Sequence, residues 1–151
     1  VKSMKEFKGV EHRLEYVRSI NEVEYINDSK ATNINSVIVA INTYDQPIVL
    51  ILGGFNKGAN FRLLLPHIKS SHVRDIVSYG DAGGQINTAL GDAVRSVQVT
   101  DLSSAVKKAQ LMAAPGDIVL LSPGCASFDE FSNFEERGNH FKSIIKSIAI
   151  S

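Results

Sequence analysis

Two polar blocks in this 151-residue chain carry the residue types that hold an anionic small molecule, and each directly follows a short apolar run. The first, Asn27-Asp28-Ser29-Lys30-Ala31-Thr32-Asn33, follows Val23-Glu24-Tyr25-Ile26. The second, Ser122-Pro123-Gly124-Cys125-Ala126-Ser127-Phe128-Asp129-Glu130-Phe131, follows Ile118-Val119-Leu120-Leu121. Ammonium groups bind carboxylates and phosphates through charge-assisted hydrogen bonds, and hydroxyls add direction. A third candidate is the loop Gly53-Gly54-Phe55-Asn56-Lys57-Gly58 after Ile48-Val49-Leu50-Ile51-Leu52. Glycine-rich loops after strands cradle phosphates, and a lysine there supplies a point charge. Neither Gly-x-x-x-x-Gly-Lys-Ser/Thr nor Gly-x-Gly-x-x-Gly occurs in the chain. Taken alone, the loop is an ordinary strand-to-helix turn with a solvated lysine. Asp28, Ser29, Lys30 and Thr32 likewise read either as ligand contacts or as turn and cap residues.

Other reactive side chains carry less. Cys125 has no His or carboxylate at a diagnostic local spacing and reads as a small buried thiol, not a nucleophile. His67, His72 and His140 are scattered without metal-ligand spacing. Phe131 and Phe134 read as packing at the start of the last helix.

The elements that hold these blocks follow from the hydrophobic pattern. Leu14 to Ile20 alternates, Asn21-Glu22 makes a polar turn, and Val23 to Ile26 is a second strand, predicting a hairpin or close antiparallel pair. Ile34, Val37, Ile38 and Ile41 follow helical spacing, with Asn33 or Asn35 as N-cap. Ile48 to Leu52 is continuously apolar, as expected of a strand covered on both faces, and Gly53-Gly54 turns the chain sharply. Further strands are predicted at Asp75 to Tyr79, Val94 to Val99 and Ile118 to Leu121. Helices are predicted around Gln85 to Leu90 and from a cap at Asp101 or Ser103 to Ala113. The last helix presents Phe134, Phe141, Ile144, Ile145 and Ile148 on one face, with Gly138 expected to interrupt its first part. Strands alternating with helices predict an α/β domain with a mostly parallel sheet, right-handed crossovers and the antiparallel pair at or near one edge. Ligands bind such sheets beyond the carboxyl ends of the strands, where both polar blocks fall.

Composition narrows the function. An apolar content of 44% suits one domain spanning residues 1–151. Sixteen basic and sixteen acidic residues leave no net charge, which argues against nucleic acid as a partner. The apolar runs are too short to span a bilayer, so no membrane role is expected. Val1-Lys2-Ser3-Met4-Lys5-Glu6 lacks the apolar stretch of a signal peptide, and a single cysteine suits a reducing, cytoplasmic setting.

The order of blocks is more specific than any one of them. Gly9-Val10-Glu11-His12-Arg13-Leu14-Glu15, Asn27-Asp28-Ser29-Lys30-Ala31-Thr32-Asn33, Leu52-Gly53-Gly54-x-x-Lys57 and Leu121-Ser122-Pro123-Gly124-Cys125-Ala126-Ser127-Phe128-Asp129 occur in sequence, followed by Phe131-x-x-Phe134-Glu135-x-Arg137-Gly138. Together they resemble the C-terminal domain of the D-glutamate-adding Mur ligases of peptidoglycan synthesis, over nearly the whole chain. The Asp-Ser-Lys-Ala-Thr-Asn and Ser-Pro-x-Cys-Ala-Ser blocks set that group apart from other Mur ligases.

The resemblance implies a Rossmann-like domain of an ATP-dependent amide ligase. In that family ATP phosphorylates the carboxylate of UDP-N-acetylmuramoyl-L-alanine, and the amine of D-glutamate attacks the acyl phosphate. An N-terminal UDP-binding domain and a central ATPase domain complete the enzyme. The phosphate loop and most of the Mg2+ ligands belong to the central domain, so this chain is expected to be inactive alone; it is also expected to be a monomer. By the same resemblance Lys57, Thr32, Ser127 and Phe134 contact D-glutamate, with Lys30 and Phe128 close by. Asp28 reaches the ribose of ATP, Arg13 the terminal phosphate, and His12 lies beside the adenine. Two features depart from the family pattern: Phe128, where many relatives carry an aliphatic residue, and Phe55-Asn56, where an acidic residue or glycine is common before the lysine. The competing reading is a free-standing α/β module that binds a nucleotide or amino acid without catalysis. A phosphate-loop ATPase domain encoded immediately upstream would decide between them.

Overall fold

Ile48–Gly53, apolar throughout, forms an inner strand of a six-stranded sheet in a computed structural model that describes residues 9–149. Residues 1–6, read above for a signal peptide, lie outside the described residues. The strands are β1 (Glu15–Ile20), β2 (Val23–Asn27), β3 (Ile48–Gly53), β4 (Val73–Tyr79), β5 (Arg95–Gln98) and β6 (Ile118–Leu121), in the spatial order β1-β2-β6-β3-β4-β5. β1 and β2 pair antiparallel at one edge, and every other pairing is parallel. Asn21 (φ 51°) and Glu22 (φ 65°) supply the two positive φ angles that a tight hairpin turn requires.

Helices α1 (Ile34–Ile41), α2 (Leu65–Ser70) and α3 (Gly83–Leu90) cover one face, and α4 (Leu102–Met112) and α5 (Phe134–Ser147) the other. Alternation along β3 sorts its side chains between two cores: Ile48, Leu50 and Leu52 meet Val37, Leu64 and Ile86, while Val49 and Ile51 meet Val106, Phe141 and Ile145. Asn33, Asp101 and Asn133 cap α1, α4 and α5 by accepting from the N–H groups of Ser36, Ser104 and Glu136. The Arg18 guanidinium donates to the carbonyls of Ile145, Lys146 and Ile148, which pins β1 to the carboxyl end of α5.

The α/β class, the mostly parallel sheet and the edge pair are as the pattern predicted. Four local features differ. A 3-10 turn at Phe61–Leu64 and α2 occupy a stretch for which the pattern predicts no element. The helix predicted around Gln85 begins earlier, at Gly83, and the strand predicted from Val94 to Val99 shortens to Arg95–Gln98. Gly138 does not interrupt α5, which runs unbroken from Phe134 to Ser147. It is buried against the His12 ring, and that contact offsets its low helix propensity. Among the described residues no helix is long and apolar enough to cross a membrane.

Candidate functional site

The carboxyl ends of β2, β3 and β6 bring the polar blocks together beside the segment that precedes β1. In that segment His12 (φ 64°) and Leu14 (φ 49°) both adopt left-handed backbone, which is costly for residues other than glycine and persists only where neighbours over-determine it. The neighbours do so here. The His12 carbonyl accepts from the Lys30 N–H (2.9 Å), and the Leu14 N–H donates to Asp28 Oδ1 (3.1 Å). Glu15 Oε1 accepts from the His12 N–H and from Asn27 Nδ2, each at 3.0 Å, while Lys142 on α5 reaches Glu15 and Glu11 at 3.2 and 3.1 Å. Burial raises the Glu15 carboxyl pKa, but these hydrogen bonds outweigh it and hold the group below its ordinary range.

Arg13 is thereby displayed at the rim of a hollow of about 270 Å³, which Asp28, Lys30, Asn35, Ser36 and Val39 also line. Asp28 is 4% exposed and accepts from the Ser122 hydroxyl at 2.8 Å. Burial pushes its pKa up to about 6, against the opposing pull of Ser122, the Leu14 N–H and the Arg13 charge.

A second, more open groove of about 640 Å³ adjoins the hollow, with Asn35 lining both. Thr32, Lys57, Leu63 and Gly124 are among the residues that line it. The loop carrying Lys57 is fixed on both sides. The Phe55 N–H donates to the Ala126 carbonyl at 2.8 Å and the Ala126 N–H returns the bond at 3.0 Å. Asn56 Nδ2 donates to Gln85 Oε1 at 2.7 Å, and Asn56 Oδ1 accepts from the Ala59 N–H at 2.7 Å. Gly54 (φ 123°) permits this approach, because a side chain there would collide with the Ala126 carbonyl. Lys57 Nζ lies 5.2 Å from the centroid of the Phe128 ring.

The remaining predicted residues line neither opening. Ser127 is buried in the turn that follows Ala126, and its carbonyl accepts from the N–H groups of Glu130 and Phe131. Phe134 meets the buried His12 ring edge-on, with centroids 6.0 Å apart at 84°. The structure thus groups Arg13, Asp28 and Lys30 in the hollow, Thr32 and Lys57 in the groove, and Phe128 beside Lys57. His12 and Phe134 form the wall between that segment and α5.

Sequence reasoning assigned no role to Arg137, which is fully buried. Its Nε and Nη2 donate to the Ser29 hydroxyl (2.9 Å) and carbonyl (2.7 Å), and Nη1 to the Cys125 carbonyl (3.0 Å). Ser29 Oγ passes the contact on to the Phe134 carbonyl at 2.7 Å. One guanidinium therefore ties α5 to both polar blocks. The available signal was its spacing: Phe134, Arg137, Phe141 and Ile145 follow i, i+3, i+7 and i+11, placing an arginine in the apolar stripe. Cys125 is buried, as expected, and burial pushes its thiol up to about 12, in keeping with a structural thiol. Among the described residues no three His, Cys, Asp or Glu side chains gather to hold a metal ion.

Solved ligases share this architecture. A bifunctional folylpolyglutamate synthase/dihydrofolate synthase from Yersinia pestis CO92 superposes with a TM-score of 0.64 at 16% identity, over 91% of this chain and 32% of that one. UDP-N-acetylmuramate-alanine ligase from Thermotoga maritima superposes with a TM-score of 0.62 at 14% identity, over 94% of this chain and 31% of that one. Likeness at that identity speaks for the fold alone. The family follows from sequence: residues 12–125 match the model of the Mur ligase, glutamate ligase domain, and the chain belongs to that family. Among its relatives, the UDP-N-acetylmuramoylalanine–D-glutamate ligase of Chloroherpeton thalassium is 45% identical over 97% of this chain, and that of Clostridioides difficile 46% identical over 94%. This chain spans about a third of the length of those relatives, 31% and 32% respectively.

Proposed function

We propose that these residues form the C-terminal, amino-acid-delivering domain of a cytoplasmic, ATP-dependent ligase that joins D-glutamate to UDP-N-acetylmuramoyl-L-alanine through an acyl phosphate. The UDP-binding and ATPase parts would lie in N-terminal and central domains outside this chain. The observation that carries the reading is the grouping of Lys57 and Thr32 in one groove beside a hollow lined by Arg13 and Asp28, in a chain 45% identical to a ligase of that name.

The chemistry supports the division. D-glutamate brings two carboxylates, and the Lys57 ammonium with the Thr32 hydroxyl supplies charge and direction for them; Ser127, Lys30, Phe128 and Phe134 enter the amino-acid site through the family resemblance alone. Asp28 accepts hydrogen bonds from ribose hydroxyls and Arg13 stabilises charge on the transferring phosphoryl group, while the adenine side of His12, which is buried, rests on the family resemblance alone. By the family resemblance the ligands of the magnesium ion that accompanies ATP lie mostly in the central domain, and no step is routed through the ion here.

The test is kinetic, in the full-length ligase. Lys57→Ala should raise the KM for D-glutamate roughly ten- to hundredfold, the cost of a lost charge-assisted hydrogen bond, while the KM for ATP stays near wild type. Arg13→Ala should show the reverse profile. Equal damage to both substrates by both variants would refute the division of labour. An unchanged D-glutamate KM in Lys57→Ala would return Lys57 to the solvated-loop reading.

A further inference from the structure

The geometry points to Phe128 as a positioning residue for Lys57, whose ring holds the ammonium at the groove edge before the amino acid arrives. Lys57 Nζ sits 5.2 Å from the ring centroid, inside the range where the ring's negative face attracts a cation. Phe128 is 59% exposed and Lys57 is exposed too, so core packing fixes neither side chain. A lysine ammonium rides on a flexible four-carbon stem, and orienting it for a ligand gives up rotamer freedom at the moment of binding. Resting it on a ring gives up part of that freedom in advance. The ring covers one side of the ammonium and attracts its charge, leaving other N–H donors for a carboxylate. The two loops that carry these side chains are tied together at the backbone, where Phe55 and Ala126 exchange two hydrogen bonds.

This deepens the proposed amino-acid site and rests on it, so the experiment separates the two. In the full-length ligase, Phe128→Leu keeps apolar bulk but removes the π face. It should raise the KM for D-glutamate about two- to fivefold, with kcat and the KM for ATP within twofold of wild type. Phe128→Tyr and Phe128→Trp should restore the wild-type KM. A second readout needs no substrate: the ε-methylene protons of Lys57, shifted upfield in NMR spectra by the ring, should move to the ordinary lysine position in Phe128→Leu. An unchanged ε-methylene shift would overturn the proposal. So would a D-glutamate KM in Phe128→Leu equal to or below wild type, or leucine and tryptophan variants that behave alike. If Lys57→Ala raises the D-glutamate KM and Phe128→Leu does not, the positioning role fails alone. If Lys57→Ala leaves that KM unchanged, the amino-acid site itself fails and takes the positioning role with it, whatever the NMR shift.

Discussion

Gly138 on α5 vacates the space that the His12 ring fills: a methyl group built there would collide with His12 Nδ1, lie 2.8 Å from Cε1 and press on Asn27 Nδ2 at 3.1 Å. His12 is 4% exposed and its Nδ1 pairs with Asn27 Nδ2 at 3.0 Å, so the ring has little room to retreat. Gly138→Ala would add roughly 1 kcal/mol of helix propensity but overpack this contact. The expected net result is a destabilisation of about 1–3 kcal/mol by denaturant unfolding. A KM for ATP that rises more than that for D-glutamate should accompany it, because His12 adjoins Arg13. A Gly138→Ala protein more stable than wild type would show that the ring yields freely.

Arg137 makes all its hydrogen bonds to neutral oxygens of Ser29 and Cys125 in a fully buried position. Arg137→Met should lower stability by about 3 kcal/mol or more, since it orphans two buried carbonyls, each costing roughly 1–3 kcal/mol. Arg137→Lys should rescue only partly, because one ammonium does not reproduce the planar fork. Urea unfolding of the three proteins checks this, and a Lys variant equal to wild type would contradict the role given to the fork.

Asp28 brings a pH dependence whose sign is set by its raised pKa. The folded value, about 6, exceeds the ordinary aspartate value of 3.8, so the folded state holds the proton more tightly. Stability from this group is therefore full below about pH 4 and lost as pH rises through 6, a change on the order of 2–3 kcal/mol. Asp28→Asn should remove that slope and leave the protein more stable than wild type at pH 7.5. The same variant should bind nucleotide more weakly, and wild-type affinity for ATP should fall as pH drops through 6 and the carboxylate is protonated. Urea titrations at several pH values check the first expectation, and an Asp28→Asn protein with an undiminished slope would count against Asp28 as its source.

The 151-residue chain by itself should neither hydrolyse ATP nor form the amide. Its sequence holds no Gly-x-x-x-x-Gly-Lys-Ser/Thr loop, and sites of this kind are commonly completed by domain closure. The measurement is ATP turnover with magnesium and both substrates. Steady turnover above a heat-killed control would place the chemistry inside this chain.

How much of this was legible in the sequence depends on range. Ile48–Gly53 and Ile118–Leu121 announced themselves as buried strands because local apolar runs have few other uses. Phe61 to Ser70 did not, since Pro66 and a short broken pattern leave no clear helical period. Gly83-Gly84 hid the start of α3 because glycine lowers local helix propensity. Gly138 was misjudged for the same reason: propensity is a property of the residue, whereas its use here depends on a histidine 126 positions earlier. The site residues were named from motifs, but their division between hollow and groove, and the tie made by Arg137, arise only from tertiary juxtaposition.

The bridge between Phe55 and Ala126 consists of backbone groups alone. Side-chain replacement at either position leaves both its donors and both its acceptors in place, proline excepted. The separation between the lysine loop and the serine loop is therefore insulated from drift in the flanking side chains. Phe55 can therefore be replaced at the rim without loss of the frame that holds the two loops at a common distance.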